Sequence, residues 1–154
     1  MVLGDFEGTI NPDYPLSGYH LFNAPQSVTA AIKDAGYDVM DLAHNHILDS
    51  GLEGAFTTAD AFKEVGIDPV GVYENPVRDK APLFIKNVNG IKVAILSYAY
   101  GFNGLESNLT EKEIAHHLSN LDEKRMKVEI ERAEKEADVT VIMPQMGVEY
   151  RLEP

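Results

Sequence analysis

Between residues 41 and 51 the sequence reads DLAHNHILDSG, which sets His44, Asn45, His46 and Asp49 directly behind an apolar, strand-like run. The carboxamide oxygen of Asn45 and the imidazole of His46 are groups that bind a metal ion or move a proton near neutral pH. Asp49 follows closely enough to orient an imidazole nitrogen. A second stretch, GDFEG, carries Asp5 and Glu7, and an extended backbone there points both carboxylates to one side, where one could bridge metal ions while the other assists. A third, QMGVEY, puts Gln145 and Glu149 after the last apolar run, an amide and a carboxylate able to approach a common site. Each stretch has a plainer alternative. Asn45 and Asp49 could make turn and capping hydrogen bonds with both histidines exposed, Gly4 and Gly8 could simply punctuate a turn, and Glu149 could be a surface acid.

The elements that must position these groups follow from apolar spacing. MVLG reads as the end of a buried strand, followed by a polar turn and a loop rich in Pro and Tyr through Pro25. SVTAAIKDAG spaces Val28, Ala31, Ile32 and Ala35 as one helix face, with Ser27 as its N-cap and Gly36 as its stop. YDVMDLA is a strand, and LEGAFTTADAFKEVG is a second helix stopped at Gly66. IDPVGVY is a further strand. The run PLFIKNVNGIKVAILSYAY contains two strands around Asn89 and Gly90, a pair that favours a tight hairpin. After the loop GFNGLESN, the charged helix LDEKRMKVEIERAEKEA spaces Glu123 with Lys127 and Glu131 with Lys135 to pair across one turn. DVTVIMPQ is the last strand. The repeated order of strand and helix predicts an α/β layered domain with helices covering a sheet. Loops 4–9, 43–51 and 144–150 then lie at carboxyl ends of strands, where such sheets hold ligands.

The chain of 154 residues is long enough for one core-forming domain, and 44% hydrophobic with 25% charged residues is ordinary for a globular protein. A net charge of −12 argues against a nucleic-acid partner, because phosphate backbones need clustered Lys and Arg. Acidic clusters could still attract divalent cations. The absence of cysteine removes disulfides, thiolate zinc sites and cysteine nucleophiles from this segment. No run approaches the ~18 apolar residues of a membrane span, and the start of the sequence lacks the pattern of a signal peptide. His20, His116 and His117 read as surface or packing residues, and Tyr14, Tyr19 and Phe22 either line a cleft or pack on the sheet.

GDFEGTI, FNAP, AGYDVMDLAHNHILDSGLEG and MGVEY, in this order and spacing, resemble the CapA family of bacterial capsule and poly-γ-glutamate synthesis proteins. The resemblance implies kinship with calcineurin-like metallophosphoesterases: an α/β (α+β, four-layer sandwich type) fold of two mixed sheets with helices outside and a two-metal site at the strand ends. By this resemblance Asp5 takes the position of a metal-bridging residue, usually Asn in the family, and Glu7 is the acid of the same motif. Asn45 is a metal ligand, His46 contacts the phosphate or protonates the leaving group, and Asp49 supports His46. Gln145 and Glu149, with Tyr150, fall on the family's His-Trp-Gly-x-Glu-Tyr motif. The implied cofactors are divalent ions (Mn, Zn, Mg or Fe), and the implied reaction is metal-dependent phosphoester hydrolysis. The alternative is a non-catalytic polymer-binding or assembly component.

The sequence departs from the family pattern in ways that weaken the implied metal site. Gln145 replaces histidine and Met146 replaces tryptophan, so a nitrogen ligand becomes an amide oxygen. His44 stands where asparagine is usual and could offer a substitute imidazole. Residues 1–154 read as a single partial domain, whose opening Gly-Asp motif would precede residue 1 and whose His-rich motif would follow residue 154. The implied partners are a cell-surface polymer or phosphoester and other capsule or polyglutamate synthesis subunits. The implied location is extracellular, through a membrane anchor elsewhere in the parent protein.

Overall fold

Alternation along the strands sends neighbouring side chains into different cores, and this builds the layers. In the computed structural model, which describes residues 1–147 and 151, β1 (Leu3–Asp5), β2 (Val39–Asp41) and β3 (Asp68–Val70) form a parallel sheet in that order. A second sheet holds β4 (Ile85–Val88), β5 (Ile91–Ala99) and β6 (Val139–Gln145), antiparallel between β4 and β5 and parallel between β5 and β6. Helices α1 (Ser27–Asp34) and α2 (Gly51–Glu64) connect the strands of the first sheet, and α3 (Glu111–His117) and α4 (Glu123–Glu136) connect β5 to β6.

Met40 and Leu42 pack with Phe62, Ala59 and the α1 residues Val28 and Ile32 on one side of the first sheet. Their neighbour Val39 points the other way, joining Val70, Val93 and Ile95 between the sheets. On β5 the intervening residues Ala94, Leu96 and Tyr98 face Ala133, Met126 and Ile130 of α4. The order helix, sheet, sheet, helix follows, with β2 and most of β5 covered on both faces, while β6 leaves Val139 and Ile142 exposed. The expected pair of sheets is present; the second is mixed, while the first runs parallel throughout.

Local signals act as the sequence predicts at several points. Gly36 and Gly66 stop α1 and α2 at φ of +95° and +75°, and each amide donates back to the carbonyl three residues earlier. Asn89 and Gly90 turn the β4–β5 hairpin with φ of 53° and 93°, as a type I′ turn requires. Two expectations are corrected. Ser27 is the first helical residue rather than the cap, and the N-cap position, Gln26, makes no side-chain capping bond. Neither Glu123 with Lys127 nor Glu131 with Lys135 forms an ion pair among the described residues; the charges of α4 reach Arg78, Asp79 and Glu136 instead. Arg78 is the strongest of these ties. Its buried guanidinium donates from Nε and Nη2 to Glu129 at 3.0 and 2.9 Å and from Nη1 to the Leu118 carbonyl at 3.1 Å, while the Tyr98 hydroxyl donates to Glu129 at 2.8 Å. No helix among the described residues is long and apolar enough to cross a membrane.

Candidate functional site

Three strands deliver polar residues at their carboxyl ends: Asp5 closes β1, Asp41 closes β2 and Gln145 closes β6. The loop after β2 turns sharply there, because Gly71 at the end of β3 lets its backbone come close. A Cβ at Gly71 would lie 2.7 Å from the Ala43 nitrogen, and its φ of +98° is one that side chains resist.

His46 is the best-defined group on this rim. Its Nδ1 lies 2.8 Å from Asp49 Oδ2, and its Nε2 lies 4.0 Å from Glu7 Oε1. A carboxylate can only accept, so the Nδ1 proton is fixed towards Asp49. The neutral ring therefore carries its lone pair on Nε2, where the Asn103 Nδ2 donor lies 3.5 Å away, and the protonated ring turns an N–H towards Glu7 instead. The Asp49 side chain is almost fully buried, and its other oxygen, Oδ1, has no partner among the described residues. The Asp49 Oδ2 that orients His46 also accepts from the backbone N–H of Phe22 at 2.7 Å, and the Phe22 ring packs edge-on against the imidazole at 4.7 Å.

Asn45 and Gln145 meet and bond to each other. The Asn45 backbone N–H donates to Gln145 Oε1 at 2.7 Å, and Gln145 Nε2 donates to Asn45 Oδ1 at 2.8 Å. Asn45 Nδ2 donates in turn to Asn103 Oδ1 at 3.0 Å. Both amide oxygens are thus engaged by N–H donors. Nor do any three His, Cys, Asp or Glu side chains among the described residues form a group able to hold a metal ion. As placed here these donors are not gathered around a cation: Asn45 and Gln145 bond to each other, and a metal would have to take the second lone pair of each amide oxygen or displace the pair.

Asp5 and Asp41 are register partners on adjacent strands, which places their side chains on one face. Burial and then the neighbouring Glu7 carboxylate push Asp5 up to about 6. Asp41 is raised to about 7, chiefly by burial and further by Asp5, against the opposing hydrogen bonds from the Ser97 hydroxyl and the Ala43 N–H. His44, the possible substitute imidazole, sits inside the core. It is fully buried, its Nδ1 accepts from the His46 N–H at 3.2 Å, and burial followed by the nearby His46 lowers it to about 3.

The sequence-predicted residues Glu7, Asn45, His46, Asp49 and Gln145 therefore share one neighbourhood, with Asp5 coupled to it through Glu7. Glu149 and Tyr150 lie outside the described residues. Sequence reasoning missed Asn103, whose following glycine marked only a turn, and the pairing of Asp41 with Ser97 across the two sheets. The segments that build the rim, residues 1–25, 41–51, 100–110 and 143–147, contain no lysine or arginine, while they carry Asp5, Glu7, Asp13, Asp41, Asp49 and Glu106.

Comparison with known proteins gives a consistent result. A family model described as bacterial capsule synthesis protein matches residues 1–154. The capsule biosynthesis protein CapA of Bacillus anthracis is 34% identical over 136 residues, covering 86% of this chain and 32% of that protein. The PGA biosynthesis protein CapA of Bacillus subtilis is 28% identical over 158 residues, covering 99% of this chain and 40% of that protein. An uncharacterized protein, y4sH, of Sinorhizobium fredii is 34% identical over 97 residues, which are 63% of this chain and 20% of that protein. The chain thus spans about a third to two-fifths of the length of the two CapA proteins it matches.

Proposed function

Because this chain belongs to the family of bacterial capsule synthesis proteins, we propose that it works in making a cell-surface polymer as a polymer-binding assembly component, with His46 at the centre of its contact surface. The observation that carries this reading is the closed pair of Asn45 and Gln145, in which each amide oxygen already accepts from an N–H of the other residue. The rim also offers a set of hydrogen-bonding groups: His46, oriented from behind by Asp49 and with Asn103 Nδ2 3.5 Å from its Nε2, and the half-exposed carboxylate of Glu7. Such a set accepts from hydroxyl or amide donors of a polymer. On this reading the parent protein acts outside the membrane, held by an anchor elsewhere in its length, beside other polymer-synthesis subunits.

A second reading, metal-dependent phosphoester hydrolysis, is favoured by the His46–Asp49 pair. A histidine with Nδ1 fixed by a carboxylate can hand a proton from Nε2 to a departing oxygen. Among the described residues the rim segments 1–25, 41–51, 100–110 and 143–147 hold no lysine or arginine to fix a phosphate, and hydrolysis needs Asp5, Glu7, Asn45 and Gln145 gathered around divalent ions.

Calorimetric titration with manganese, zinc and calcium separates the two. The assembly reading expects no binding tighter than about millimolar. Micromolar binding lost in Asp5→Asn and Asn45→Ala, together with manganese-dependent release of nitrophenol from a nitrophenyl phosphodiester lost in His46→Ala, would replace it with the hydrolytic one.

A further inference from the structure

β6 stands at the end of its sheet, bonded to β5 alone among the described residues. Its outer side carries unused backbone groups. The Tyr100 N–H donates to the Gln145 carbonyl at 3.0 Å, while the Ala99 N–H turns the other way, to the Ser119 carbonyl. In a parallel ladder this fixes the alternation: Val141, Met143 and Gln145 turn N–H and C=O towards β5, and Thr140 and Ile142 turn theirs outward. Pro144, which has no N–H, falls on the outward set, where no bond to β5 is lost.

Free edges are ordinarily guarded by charge or by brevity. The opposite edge of this sheet, β4, has four residues and carries Lys86, which pairs with Asp68. β6 has seven residues, VTVIMPQ, with no charge among them, and leaves Val139 47% and Ile142 41% exposed. Register sets Ile142 beside Leu96, which is only 6% exposed beneath α4. On that same side of the sheet α4 leaves an open groove of about 580 Å³, lined by Leu121, Met126 and Ile130 with the charged Glu123, Lys127 and Glu131. An uncharged strand with a bare apolar face, next to a helix with an apolar trough, has the surface of an interior strand.

Size and charge select the occupant. The chain spans 32% and 40% of the two CapA proteins it matches, so those relatives hold ample further sequence for a strand and a helix. A second copy would bring another body of net charge −12 against this one. A segment of the same polypeptide is already tethered nearby at high effective concentration. We propose that β6 is an interior strand of the parent protein: a strand from outside residues 1–154 of the same polypeptide hydrogen-bonds to Thr140 and Ile142, and a helix joined to it, as α4 is joined to β6, packs along α4 over Met126 and Ile142. This surface stands whether the chain binds polymer or hydrolyses a phosphoester.

Amide hydrogen exchange and methyl NOE spectroscopy test this on the full-length parent protein and on residues 1–154. In the parent, the Thr140 and Ile142 amides should exchange at least about a hundredfold more slowly than in residues 1–154, where only the amides turned to β5, such as those of Val141 and Met143, are protected. If residues 1–154 do not fold alone, unstructured-peptide rates serve as the reference. The methyl groups of Ile142 and Met126 should show contacts to residues outside 1–154. Open-edge exchange at Thr140 and Ile142 in the parent, or methyl contacts confined to residues 1–154, overturns the proposal. Sedimentation of residues 1–154 as a dimer with both amides already protected also overturns it, and assigns the edge to a second copy.

Discussion

Asp49 serves two partners with one oxygen, the imidazole of His46 and the backbone N–H of Phe22. Asp49→Ala leaves both without an acceptor in a largely buried setting, so a loss of roughly 2–3 kcal/mol is expected, measurable by urea unfolding. The variant should also release the His46 proton from Nδ1, seen as a changed pattern of imidazole nitrogen shifts in NMR. Asp41 supplies the clearest pH signature. Its folded pKa of about 7 exceeds the ordinary 3.8, because burial disfavours its charge. Between these values the native state holds a proton that the unfolded chain has lost, so stability falls as pH rises from about 4 to 7. Asp41→Asn keeps the oxygen that Ser97 and Ala43 bind and removes the titration; denaturant midpoints across that window should decline less steeply than in wild type. The histidine and its carboxylate were legible in sequence from their local spacing. Asp41 was visible only as a strand residue, because its partner Ser97 comes from the other sheet.

Among elements, the turn-forming signals were the most readable, because Gly36, Gly66 and the Asn89-Gly90 pair act through backbone geometry that no distant contact overrides. Side-chain pairings on α4 were the least readable. Helical spacing placed Glu123 near Lys127, yet the helix is fastened by Glu129 to Arg78, the first residue of a short 3-10 turn 51 residues away. That fastening combines a two-point ion pair with the Tyr98 hydroxyl and the Leu118 carbonyl, all largely buried. Arg78→Ala strands the Glu129 charge and should cost about 3–5 kcal/mol. The double variant Arg78→Met with Glu129→Met should recover much of that loss in the same thermal and urea melts, since two apolar side chains need no charged partner.

At the scale of the whole molecule, the layers were legible because strands apolar on both faces require cover on both sides. The division into two sheets was implied by resemblance and not by periodicity, which cannot tell one buried sheet from two. The joint between the sheets turns out to be polar at the rim, where Asp41 meets Ser97 and Asn45 meets Gln145, and apolar beneath it, where Val39 and Val70 meet Val93 and Ile95. The amide pair spans 100 positions of sequence. During synthesis, the imidazole, its carboxylate and the Phe22 ring all come from residues 22–49, while the clasp that seals the neighbouring amide waits for β6 to dock. A ribosome-bound fragment would therefore carry an open version of this rim, and the order of translation becomes an order of maturation.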